Sequence, residues 1–251
     1  MAASSEPVIV SAYYKIPSKQ PHRFYIPHLQ RWFYGIRTQP VVFFTTADVE
    51  AEVRGWGLSL TNIQFVLLPF ADLTSLTTRG HEFWNRQKER DPEPYHTPEV
   101  AIFWHEKKYF IQRAAALCPE ARVFIWCDAG CVRDPASAAA LQQFGRRDAS
   151  RSMDDGRIHL QLLRHIPKKE YYRFPDQSIA GALIVGNRDA WSRHIELSEA
   201  KLTEYDAAAI TANSDQYVTH SCVDANPDLY VLHTRPHTVN VNPWFFFLGF
   251  L

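Results

Sequence analysis

Net charge is the first thing this chain lacks, since its 27 lysines and arginines are matched by 27 aspartates and glutamates. That balance removes the general electrostatic case for nucleic acid or an anionic membrane as partner and leaves only local basic sites. Long apolar runs are missing too, and no stretch approaches the roughly 20 residues that span a bilayer. The start, Met1-Ala2-Ala3-Ser4-Ser5-Glu6-Pro7, has neither the basic opening nor the apolar core of a secretory signal, so a cytoplasmic location is the expectation. The apolar ending from Pro243 to Leu251 is too short to span, and docks either on the protein body or on a membrane or partner surface. Cysteine is scarce: Cys118, Cys127, Cys131 and Cys222 are too few and too irregular for a disulfide framework, which fits a reduced compartment. Cys127 and Cys131 have no matching Cys/His pair at zinc spacing. Repeats, heptads and low-complexity tracts are absent.

What is present is aromatic. Phe, Tyr and Trp make up 14% of the chain, with seven Trp, and such side chains fill a core or, as the lesser reading, line a sugar-stacking cleft. A length of 251 residues suits one large α/β domain over 1–251.

The chain is organised around Val123-Phe124-Ile125-Trp126-Cys127-Asp128-Ala129-Gly130-Cys131. Its apolar, β-preferring run predicts a central strand that delivers Asp128 to the sheet edge, where α/β proteins keep their chemistry. Upstream, strands are predicted at 7–14, 41–46 and 63–68, with a helix after Pro27 carrying Leu29, Trp32, Phe33 and Ile36, and a short helix from Asp48. The β-α-β-α-β order predicts a mostly parallel, Rossmann-like sheet flanked by helices. The first strand empties into a loop with Lys15 and Lys19, which suits either phosphate handling or plain solvation.

From Asp72 to Asp91 the pattern weakens, and a loop over the active face is expected. Thr97-Pro98-Glu99 then opens a helix with an N-cap, a first-turn proline and a dipole-favoured acid. Its stripe is Val100, Phe103, Trp104, Phe110, Ile111, Ala114 and Leu117, and Lys107 interrupts it. Either the Lys107 stem snorkels or its ammonium meets an anion. The stretch 136–155 predicts a short helix and a polar connection suited to a lid. Strands follow at 158–163 and 179–187, the second with small residues that permit close approach. A long helix from Arg188, a helix start at Asn213-Ser214-Asp215-Gln216 and a last strand ending at His233 complete the pattern.

Tyr14-Lys15-Ile16-Pro17-Ser18-Lys19, Tyr95-His96-Thr97-Pro98-Glu99, Trp104-His105-Glu106-Lys107, Trp126 to Asp134 and Asn242 to Phe247 together resemble the HtrL/YibB family of glycosyltransferase-like proteins found among bacterial surface-polysaccharide genes. More broadly, Asp128, Ala180-Gly181-Ala182, Asp215-Gln216 and His233 are similar in order to the GT-A nucleotide-sugar transferases of the glycogenin type. The resemblance implies a GT-A-like fold, a nucleotide diphosphate sugar donor, UDP-linked in the leading reading, and a glycan or other hydroxyl acceptor. The alternative is a non-catalytic nucleotide-sugar or carbohydrate-binding protein of the same fold.

Within that frame Asp128 and His233 are candidate ligands of Mn²⁺ or Mg²⁺. Asp215, or second to it Asp176, is the candidate catalytic carboxylate. Lys15, Lys19 and Lys107 are candidates for the phosphates, Tyr13 or Tyr14 for the base, Gly130 for a close diphosphate, and Gly181 and Gln216 for the remaining donor contacts. One departure stands out: the usual Asp-any-Asp metal signature is missing, because Gly130 occupies the second position.

Overall fold

The structure is a computed structural model describing residues 6–164 and 178–251. The elements in chain order are β1 (Val8–Ala12), α1 (His22–Gly35), β2 (Val41–Thr45), α2 (Ala47–Arg54), β3 (Ile63–Leu67), α3 (Thr74–Glu89), α4 (Pro98–Leu117) and β4 (Val123–Cys127). They continue with α5 (Pro135–Leu141), α6 (Asp148–Ser152), β5 (Ile158–Leu162), β6 (Ile179–Asn187), α7 (Arg188–Ala207), α8 (Asp215–Ala225), β7 (Tyr230–His233) and α9 (Phe247–Phe250). The strands form one sheet in the order β3-β2-β1-β4-β6-β5-β7. β6 pairs antiparallel with both β4 and β5 while every other pairing is parallel, so β6 alone runs against the rest. The expected mostly parallel α/β sheet is thus present.

Both sheet faces are covered, which explains why its strands read as continuous apolar runs and not as alternating ones. Val8, Val10, Ala12 and Tyr14 of the first strand segment face one core with Phe124 and Trp126, under α3, α4, α7 and α8. Ile9 faces the other core with Ile125 and Cys127, under α1, α2, α5 and the apolar chain end. That end docks on the protein body: Phe246, Phe247, Leu248 and Leu251 are buried, and the Leu251 carbonyl accepts from the Gly145 and Arg147 amides, tying down the connection between α5 and α6.

Two local expectations fail for identifiable reasons. Residues 72–91 are not a loop, since α3 fills 74–89, with a kink at Gly80, whose φ of 75° suits glycine. Leu73 precedes the helix without a side-chain cap, and its first amides are met from far away: Glu106 accepts from the Thr74 and Ser75 amides at 2.9 and 2.6 Å. A cap supplied from α4 leaves no local signature. Similarly, α1 begins at His22, so Pro27 lies inside the helix and not in its first turn. The helix at Pro98 starts as expected, with the Thr97 hydroxyl accepting from the Val100 amide. Its stripe ends early, because Leu117 is 45% exposed.

Candidate functional site

Strands β2 and β3 lie to one side of β1 and β4 to the other, so the strand order reverses at β1/β4. Open α/β sheets bind ligands in the crevice at such a reversal, outside the strands' carboxyl ends. A cleft of about 910 Å³ lies there, lined by residues following β1 and β4, the start of α4, Gly181 of β6 and the start of α8. Tyr13, Tyr14, Lys15, Lys19, Lys107, Asp128, Gly130, Gly181, Asp215 and Gln216 all line it, so nearly the whole set singled out from sequence converges on one space.

The floor is built from three charges. Helix α4 brings Lys107 up beneath the sheet edge, and its ammonium donates to the Gly181 carbonyl at 2.9 Å and to Asp215 Oδ2 at 2.8 Å. It also stands 3.8 Å from Asp128 Oδ1. The question of snorkelling against pairing is settled in favour of pairing. Burial favours loss of the Lys107 proton, but Asp128 and Asp215 outweigh it and hold its pKa above the ordinary lysine value. Asp128 is placed by the end of β4, where its amide donates to the Ala182 carbonyl and its Oδ1 accepts from Trp126 Nε1 at 2.7 Å. Its side chain is about a third open to the cleft, at 34%, yet desolvation still pushes its carboxyl above the usual range, against Lys107 and Trp126 and with Asp215.

Two glycines leave room. A Cβ on Gly181 would meet Asp215 Oδ2 and Gln216 Cγ at 3.2 Å and Lys107 Nζ at 3.3 Å, so glycine lets the ion pair close on the strand without displacing it. The close approach expected of this run is therefore made by the protein's own side chains. A Cβ on Gly130 would meet nothing within 4 Å, so the backbone there faces open cleft.

The walls sort the remaining candidates. Tyr14 packs in the core, stacked on Phe110 with its hydroxyl donating to the Leu68 carbonyl, whereas Tyr13 turns to the opposite sheet face, as period-two alternation demands. Tyr13 OH bonds His22 Nδ1 at 2.7 Å, and His22 Nε2 bonds Glu52. Lys15 is held by Asp48 and Glu52 at 2.9 and 3.0 Å, and Lys19 rests 4.0 Å above the Tyr95 ring. Gln216 donates to the Ile179 carbonyl. Tyr95, His96, Trp104 and Trp244 form an aromatic side of the cleft that sequence reasoning did not assign, although Tyr95-His96 was conspicuous as a motif.

His233 does not join Asp128. It does not line the cleft, its Nε2 bonds His159 Nδ1 at 2.9 Å, and its ring packs on Phe247 and Phe250. Burial first, then His159, lowers its pKa to about 4. The reason is strand order: β6 and β5 both lie between β4 and β7, which is three places removed from β4. Asp176 lies outside the described residues.

A metal site made by protein alone is not supported, because no group of three or more His, Cys, Asp or Glu ligands occurs among the described residues. A hard cation carried in with a diphosphate is a different matter, since such ions are commonly held by one or two carboxylates plus substrate phosphates. Asp128 Oδ2 and Asp215 Oδ1 have no hydrogen-bond partner among the described residues. Lys107 is the one ammonium facing the two carboxylates, and each carboxylate keeps an oxygen that it does not take up. This donor set fits a shared cation.

No known protein family and no curated protein matches the chain. Among solved structures it is similar to a glycosyltransferase involved in the glycosylation of the major capsid of PBCV-1, at 15% identity over 92% of this chain and 82% of that one, with a TM-score of 0.44. It is also similar to Rv0371c from Mycobacterium tuberculosis H37Rv, at 9% identity over 98% and 96% of the two chains, with a TM-score of 0.42. Likeness at this level carries no inference about chemistry, and the HtrL/YibB resemblance rests on the sequence motifs alone.

Proposed function

We propose that the protein is a glycosyltransferase of GT-A type that moves a sugar from a nucleotide diphosphate donor, UDP-linked, to a hydroxyl of a glycan or other acceptor. The observation that carries this reading is the pair of carboxylates, Asp128 and Asp215, with their uncommitted oxygens on the floor of a cleft at the sheet's reversal point. Transfer requires that charge developing on the diphosphate leaving group be met, and a preorganised polar site does that without reorganising. Mn²⁺ or Mg²⁺ would be held by Asp128 and Asp215 together with the donor, and would supply that neutralisation. Gly130 leaves the backbone open to the diphosphate. Tyr13, fixed through His22 and Glu52, offers a ring to the base, and Lys19 and Arg133 at the rim supply positive charge. Lys107 holds Asp215 in place, a positioning role that replaces the direct phosphate contact expected of it.

The cleft volume is within the range of sites that enclose small ligands, and its aromatic side suits a sugar acceptor. Incubation of the protein with UDP-glucose, UDP-galactose and UDP-N-acetylglucosamine, with Mn²⁺ present, should release UDP. Asp128→Ala should reduce that release by on the order of 10³-fold. Tight UDP binding without release from any donor would favour a binding protein instead.

A further inference from the structure

On the wall of the same cleft, the segment between α3 and α4 carries a second constellation that the donor reading does not use. Asp91 Oδ2 stands 2.8 Å from His96 Nδ1, and the Asp91 side chain is only 3% exposed. Asp91 also accepts from the Glu93 amide at 2.9 Å and from Asn213 Nδ2. Burial works to raise the Asp91 pKa, but the His96, Glu93 and Asn213 contacts prevail and hold it below the ordinary carboxyl value. Asp91 is therefore a carboxylate, and its partner nitrogen is the protonated one, which fixes the imidazole tautomer. The ring is set between Tyr95 and Trp104, edge-on at centroid distances of 4.8 and 4.9 Å. His96 lines the cleft, and its Nε2 has no hydrogen-bond partner among the described residues. The Thr97 hydroxyl anchors this wall to the Lys15–Lys19 loop by donating to the Pro17 carbonyl at 2.9 Å.

We infer that His96 is the general base for the acceptor hydroxyl, with Asp91 as its positioning residue. The inference rests on the transferase reading. A histidine on a cleft wall, oriented by a buried carboxylate and with its other nitrogen unpartnered among the described residues, has the arrangement required to accept a proton. Asp215 is less suited to that task, because one of its oxygens is committed to Lys107. In the step, the acceptor oxygen bonds to the anomeric carbon while its proton passes to His96 Nε2. The bond from that carbon to the diphosphate breaks, and its electron pair leaves on the nucleotide. The imidazolium formed is stabilised by Asp91 and yields its proton to solvent.

UDP release from UDP-glucose, with water as the acceptor hydroxyl and Mn²⁺ present, tests this on the native protein and on His96→Gln, His96→Ala and Asp91→Asn. The expected result is a loss of roughly 10² to 10⁴-fold in His96→Gln with UDP binding unchanged. Asp91→Asn should lose less, and imidazole should restore part of the His96→Ala rate. Native-rate release by a folded His96→Gln, or a loss of UDP binding in step with turnover, would each overturn the base assignment while leaving the transferase reading standing. A native protein that releases no UDP, whether or not it binds UDP, would remove both together.

Discussion

Lys107 and Lys108 are neighbours on α4 and both are buried, yet they serve different regions of the molecule. Lys108 points into an ionic layer between α3, α4 and α7, where it bonds Glu199 at 3.1 Å and the His105 carbonyl at 3.0 Å. Glu199 is shared with Arg79 at 2.7 Å, and Arg86 and Arg90 pair with Asp206 on the same side. Each of these charged groups has an ionic partner within the protein. Lys107 enters the cleft floor, where two carboxylates face one ammonium and each keeps an uncommitted oxygen. Their pKa values move in opposite directions: burial dominates Lys108 and lowers it, whereas the carboxylates prevail at Lys107 and raise it. A network whose charged groups are all partnered holds helices together, while one with uncommitted oxygens is available to a ligand.

The sharpest way to break this comparison is to remove one charge from each region. Glu199→Ala leaves Lys108 buried without its carboxylate and should cost about 3–5 kcal/mol of stability, read by urea unfolding, with UDP binding unchanged. The same layer shapes the acid limb of stability. Burial raises the Glu199 pKa, but Lys108 and Arg79 more than reverse it and hold the group at about 2, so its contribution is complete above its unfolded value near 4.5 and is lost as pH falls toward 2. His194 and His233, lowered to about 3 and about 4 chiefly by burial, act in the same direction: their neutral state favours folding above pH 6.5 and the gain is lost on acidification through the folded values. Unfolding free energies measured from pH 7 down to 3 should therefore fall, and the Glu199→Ala protein should fall less steeply below pH 4.5. A flat profile would contradict the assignment.

In the cleft, Asp215→Asn preserves an oxygen for Lys107 while removing the charge. Cation-dependent turnover should drop by about 10² to 10³-fold with a small change in stability. A comparable loss of stability would instead put Asp215 with Glu199 as a structural charge. A smaller effect is expected from Gly181→Ala, whose added carbon would press on the Lys107–Asp215 pair at 3.2–3.3 Å. Thermal unfolding should report about 1–3 kcal/mol of strain, and UDP binding should weaken.

The same contrast explains what the sequence makes legible. Asp128 and Lys107 announce themselves locally, one by standing at an element boundary and one by interrupting an apolar stripe, whereas Asp215, a first-turn acid by local pattern, is singled out only by the resemblance. The sheet follows from short β-preferring runs buried on both faces. Helix α3 is hidden because Glu106, its cap, is some 30 residues away along the chain, so charged residues that tie it to α7 read as solvated loop. Asp91 and His96 are only five residues apart, but two prolines separate them in an irregular turn, and no periodicity predicts that Nδ1 meets Oδ2. His233 shows the reverse case: the order of strands along the chain brings it near the end of the pattern, while the order of strands in the sheet takes it away from Asp128.

The central claim is that the cleft floor holds one cation together with a nucleotide diphosphate. Thermal unfolding in the presence of UDP alone, Mn²⁺ alone and both tests it directly, because a ligand bound only by the folded state raises the unfolding temperature by mass action. The account predicts a shift with both that clearly exceeds the sum of the separate shifts and disappears in Asp128→Ala. An equal shift with UDP alone, or a joint shift that survives the loss of Asp128, would contradict it.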